Sequence, residues 1–174
     1  KLLLLIASLS LVLAACSGDK EEKKDTTTEG TKTSEEKVNP AGDMMKFYLS
    51  ISQSINAVDA DLNAYENVGT LEVPPKDAEL KKMQDAARIA AANAAVKVEE
   101  LEVPAELKDH QETIDSALNK MQEAYTMKSD ALAAEGEVVL DEANAKFEEA
   151  DAELNKVLEE VGLAGSSIFN EVSL

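Results

Sequence analysis

Few side chains in this sequence could do chemistry, and their spacing excludes most of what they might do. His110 is the single histidine and Cys16 the single cysteine, so zinc sites assembled from several imidazoles and thiolates are ruled out. The paired Glu-x-x-His motifs that hold two irons between helices are missing, since Glu106 and His110 stand four apart rather than three. A Ser-His-Asp arrangement would be expected with a Gly-x-Ser-x-Gly elbow, and none occurs. No glycine-rich phosphate loop and no Asp-x-Asp-x-Asp-Gly calcium loop is present. The sequence therefore predicts no enzyme: no catalytic residue, no metal ligand set and no cofactor.

Two groups of residues leave room for a different chemistry. His110 falls on the register of Ala117 and Ala124, at the edge of a core-facing stripe. If four helices run up and down in turn, the third starts at the same end as the first, which carries Met44 and Met45. Thioether sulfur and imidazole nitrogen are axial ligands of haem, so the alternative to a plain binding module is a small-molecule or metal-cofactor carrier, with its ligand near His110 and Met44. Against it, methionine is a good filler of irregular cores, and the last helix offers no histidine. The acidic clusters Glu99-Glu100-Glu102, Glu148-Glu149 with Glu153, and Glu159-Glu160 alternate with apolar positions. They read as solvated helix faces, with weak, non-selective divalent-ion binding as the most they predict.

Cys16 has the most informative surroundings. Leu2 to Leu13 is an apolar stretch after the charged Lys1, too short to span a bilayer, which takes about 20 residues, and it closes on the small pair Ala14-Ala15. The polar block Ser17-Gly18-Asp19-Lys20-Glu21-Glu22 follows at once, which gives the stretch the form of a secretory signal. Leu13-Ala14-Ala15-Cys16 resembles the lipobox of bacterial lipoproteins. The resemblance implies that the Cys16 thiol receives a diacylglycerol, that the signal is cut between Ala15 and Cys16, and that Cys16 becomes the lipidated N-terminus. Two acyl chains hold a protein stably where one does so only marginally. Because the sequence starts at Lys1, one or more residues are expected to precede it.

From Ser17 to Gly42 the chain is Ser, Gly, Thr, Lys and Glu with almost nothing apolar. Such a segment cannot bury enough surface to offset ordering entropy and reads as a disordered tether, with a root-mean-square span of about 25 to 30 Å. A tether of this kind after a lipobox resembles Gram-positive lipoproteins, whose domains stand on the outer face of the cytoplasmic membrane. Residues 1–15 are thus expected to be signal, 16–42 the lipidated cysteine and linker, and 43–174 a helical domain.

The remainder must supply the positions of everything else. Aromatics are 3% of the chain while hydrophobic residues are 44%, so the core must be built from Ala, Leu, Val, Ile and Met, which favours closely packed helices. Apolar residues recur at three- and four-residue spacings in four segments. The first starts near Asn39-Pro40 or Asp43 and runs through Met44, Phe47 or Tyr48, Ile51, Ile55, Val58, Leu62 and Tyr65 to Gly69. The second follows Pro74-Pro75 with Leu80, Met83, Ala87, Ala90, Ala94, Val98 and Leu101. The third opens at Pro104, repeats Leu107, Ile114 and Met121, and breaks at Gly136. The fourth alternates Leu140, Ala143, Phe147, Ala150, Leu154, Val157 and Val161 before Gly162, with Ile168, Phe169 and Val172 expected to pack back over one end.

Short connections between such helices predict an all-α fold, an up-down antiparallel four-helix bundle. Leu71-Glu72-Val73-Pro74 is echoed by Leu101-Glu102-Val103-Pro104, which reads equally as a duplicated helix-start module or as convergent punctuation. A net charge of −18 argues against nucleic acid and against close apposition to an anionic membrane. The functional expectation is a membrane-anchored, extracytoplasmic, non-enzymatic binding or scaffolding module of the cell envelope. Its partners would be the bilayer, through acylated Cys16, and an envelope protein or cell-wall component.

Overall fold

Helix dominates residues 39–173, the span that the computed structural model describes, for the local reasons the apolar spacing suggests. Ala15, Cys16, the apolar stretch before them and most of the polar tether lie outside the described residues. Helix α1 spans Pro40–Asn56, with proline in its first turn and the Asn39 side chain accepting from the Gly42 amide at 3.2 Å. A Cβ at position 42 would lie 2.5 Å from Asn39 Nδ2, so a side chain there would displace the capping asparagine. Pro40, Ala41 and Gly42 therefore belong to the helix rather than to the linker.

The segment expected to run unbroken to Gly69 divides after Asn56. Helix α2 covers Ala60–Glu66, and a 3-10 turn, Asn67–Thr70, closes it. The break falls at Asp59, which stands between Ile55 and Leu62 in the core register and is only 2% exposed. Aspartate is poor inside a helix and well suited to starting one; the Asp59 carbonyl accepts the Asn63 amide at 3.0 Å and begins α2.

Helix α3 is Asp77–Glu99, α4 is Gln111–Ala133 after a 3-10 turn at Ala105–His110, α5 is Asp141–Glu160, and α6 is Ile168–Val172. The described residues thus form six helices and no strand. None of these helices is long and apolar enough to cross a membrane.

Neighbouring long helices run antiparallel. Gln84 donates to the Leu132 carbonyl at 2.8 Å and Ser129 to the Arg88 carbonyl at 3.2 Å between α3 and α4. Lys120 meets Glu153 at 2.9 Å and Lys146 meets Glu123 at 3.4 Å between α4 and α5. The buried Ala87, Ala90, Ala91 and Ala94 give α3 a smooth face on which α4 packs. Phe147 fills the centre, edge-on to Tyr125 with ring centroids 5.4 Å apart.

Helix α5 ends with the Gly162 amide bonded to the Glu159 carbonyl and the Leu163 amide to the Leu158 carbonyl, with Gly162 at φ +85°. That closing geometry is the reason for the glycine. It turns the chain back along α5, so the tail lies along the side of the helical body, against α1, α2 and α5, rather than over one end. The Ser166 amide reaches Asn155 Oδ1 at 2.7 Å, and the Ile168 amide reaches the buried Asp151 at 2.8 Å. Asn63 donates to the Val172 carbonyl at 2.8 Å, and Tyr48 to Glu171 at 3.3 Å. Side chains from three helices therefore hold the backbone and one carboxylate of the tail.

Candidate functional site

The two candidate haem ligands occupy different settings. Met44 is fully buried in the core, while Met45 is exposed. His110 ends the 3-10 turn before α4, half-buried, with Nδ1 3.2 Å from Glu160 Oε2. Its nearest partner is thus a surface carboxylate at the end of α5, fifty residues further along the chain.

The acidic clusters are distributed in the same way over the surface. Glu100 pairs with Lys97, Glu149 and Glu153 with Lys120, and Glu160 with His110 and, at 3.9 Å, Lys156. Among the described residues no group of three or more His, Cys, Asp or Glu is placed to hold a metal ion.

A different set of groups does converge. Lys128 continues the series Leu107, Ile114, Met121 by one more step of seven, which puts it on the core face of α4 with its side chain only 4% exposed. Its Nζ lies 2.9 Å from Glu66 Oε1 of α2. Nζ also lies 6.0 Å from the centroid of the Tyr125 ring and 5.7 Å from that of Phe169, distances at which the ring faces attract a cation. Asp59 completes the group from the start of α2, with Oδ2 buried and without a hydrogen-bond partner.

Electrostatics follow from that burial. Desolvation raises the Asp59 carboxyl to about 6, and Glu66 adds to the rise, while its own backbone, Asn63 and Lys128 oppose it. With Asp59 protonated, Lys128 and Glu66 form a neutral buried pair; with Asp59 ionised, the group carries one uncompensated negative charge. Tyr125 is pushed well above its ordinary value by burial and by both carboxylates. Tyr48, beside the tail, is pushed up to about 12, chiefly by burial.

Chemically this group is closed. The ammonium that might serve as a nucleophile is capped by Glu66 and flanked by two rings, so its role is to fasten α2 and the tail to α4. Glu66 also faces outward, where Tyr65, Val68, Leu80, Val138, Leu140 and Asn144 join it around a cleft of about 460 Å³. That cleft is open to solvent, and its apolar side chains share the exposed wall about equally with polar groups. Sequence reasoning passed over Lys128, Asp59 and Glu66. The signal was available in the seven-residue series, which lands on a lysine at its fourth member.

No protein-family model, no curated protein and no solved structure matches this chain.

Proposed function

We propose that this chain is a lipid-anchored module of the bacterial cell envelope, held by acylated Cys16 on the outer face of the cytoplasmic membrane, where it serves in non-enzymatic binding or scaffolding. The observation that carries the reading is Leu13-Ala14-Ala15-Cys16, with an apolar run before it and a polar tether after it. We read the helical part as an up-down four-helix bundle in which α1 with α2 forms one segment and α3, α4 and α5 the other three. The antiparallel cross-links between α3 and α4, and between α4 and α5, support that reading. Support for a binding rather than a catalytic role comes from the Lys128 group, whose ammonium is held by Glu66 between two rings, and from the open cleft of mixed polarity beside it.

The anchor is tested by expressing the chain with Cys16→Ser in a Gram-positive host. The unaltered chain is expected in the membrane fraction with an acylglycerol on its terminal cysteine. The variant, which lacks the thiol, should not be acylated. An unaltered chain that carries no acyl group, or that is recovered unlipidated from the medium, overturns the reading.

A further inference from the structure

The two copies of Leu-Glu-Val-Pro have different fates. In the second, Leu101 and Val103 pack against the core. In the first, Leu71 is 50% exposed and Val73 81% exposed. Val139, on the loop before α5, is 60% exposed. Leu71 and Val73 follow Val68, and Val139 lies between Val138 and Leu140, and those flanking residues line the cleft of about 460 Å³. The uncovered residues and the cleft thus belong to the same end of the helical body, where α2 ends and α3 and α5 begin.

Position and charge both bear on what would cover this end. The start of α1 lies at the other end, where Asp43, Lys46, Phe47 and Ser50 share a cleft with Leu101, Glu102 and Pro104. The length of α3, about 35 Å at 1.5 Å per residue, separates the two ends, so the apolar end is remote from the point at which the tether joins. Residues 65–80 and 134–144, which build the apolar end, contain eight carboxylates and one lysine. Of the residues that line the cleft, Glu66 is the one that carries a charge.

We propose that this end is a docking surface for a basic amphipathic segment of another protein, which seats apolar side chains in the cleft and on Val73 and Val139 while its Lys or Arg side chains meet the acidic rim. The proposal rests on the binding-module reading and names the class of its partner. Docking of an amphipathic segment into a groove is an established mode of peptide recognition, and the excess of carboxylates in the segments that build this end selects for a cationic partner and speeds its approach. A second copy of this chain would bring the same acidic rim against itself, so self-association is disfavoured here.

The test immobilises the whole expressed chain and titrates it with a synthetic helical peptide of alternating Lys and Leu pairs, in a neutral buffer of moderate ionic strength. Two controls carry Glu in place of Lys or Ser in place of Leu. Val73→Ser with Val139→Ser, which alters exposed positions and no charge, is expected to weaken binding about tenfold. Glu135→Gln with Glu137→Gln should weaken it as well and flatten its dependence on salt. Met45→Ser with Leu49→Ser, which removes exposed apolar groups from α1, should leave binding unchanged.

The proposal is overturned if the Lys/Leu peptide binds no better than the Ser control. It is equally overturned if Val73→Ser with Val139→Ser binds as the parent does, or if the α1 variant is weakened as much. Dimerisation of the parent that Val73→Ser with Val139→Ser abolishes, without peptide binding, would assign the surface to a second copy and sink the proposal. The readout does not depend on a lipid at Cys16, so this result and the anchoring result stand or fall separately.

Discussion

Replacing Asp59 by asparagine should stabilise the protein at neutral pH, and the gain should vanish in acid. Asp59 is buried at the start of α2 with one carboxyl oxygen unpartnered. Around it stand Asn63 and Glu66 from α2 and Lys128 and Tyr125 from α4. Its carboxyl titrates at about 6 in the folded chain against 3.8 as the reference for the unfolded chain. Below pH 3.8 both states hold the proton and the residue is indifferent to pH. Between 3.8 and about 6 the folded state keeps a proton that the unfolded state has shed, so stability falls as pH rises.

Above about pH 6 the whole penalty is present, and at 1.36 kcal/mol per pK unit it amounts to about 3 kcal/mol. Asparagine keeps the shape without the charge, but its amide inherits the unpartnered position, which takes back about 1 kcal/mol. Asp59→Asn is therefore expected to gain about 2 kcal/mol at about pH 7.5, falling towards zero or slightly below by about pH 4. Urea denaturation followed by far-ultraviolet circular dichroism at several pH values measures this difference directly. A variant that is destabilised at neutral pH, or whose difference from the parent is the same at every pH, would refute the reasoning.

Two further perturbations probe the same body. Lys128→Met leaves the buried Asp59 and the partly exposed Glu66 without their cation and should cost about 1 to 3 kcal/mol, whereas Lys128→Met combined with Glu66→Gln should recover part of that loss; equilibrium unfolding of the two variants and the parent checks the coupling. Asp151→Ala removes the acceptor of the Ile168 amide and should cost about 1 to 3 kcal/mol, and hydrogen exchange should report accelerated opening of the tail while the α3 and α4 amides stay protected.

How much of this was legible in the sequence differs from element to element. Helices α3 and α5 follow the apolar spacing closely, because each ends at proline or glycine punctuation, whereas the segment expected to open as a helix at Pro104 begins as a 3-10 turn over Ala105–His110 and becomes α4 only at Gln111. The break in the first segment was not read, because Asp59 falls on the three- and four-residue rhythm of its neighbours and its carboxylate makes no capping bond that would mark the start of α2. The tail was expected over one end and instead runs along the side of the body, since its path depends on hydrogen bonds to Asp151, Asn155 and Asn63 that no local pattern reveals.

The Lys128 group was missed for a related reason. A heptad reading that counts only apolar residues stops at Met121, although the next position of the same series is the one that carries the buried charge. The reading of Cys16 rests in the opposite way on its immediate sequence surroundings alone, since the residue lies outside the described residues.

That cysteine carries the central claim, and the intact mass of the protein extracted from membranes of the cells that make it tests the claim most directly. The account predicts a chain that begins at Cys16 and bears a diacylglycerol on its sulfur, with fragmentation placing the added mass on that residue. A chain that retains residues 1–15, or one that begins elsewhere with Cys16 as a free thiol, would contradict it.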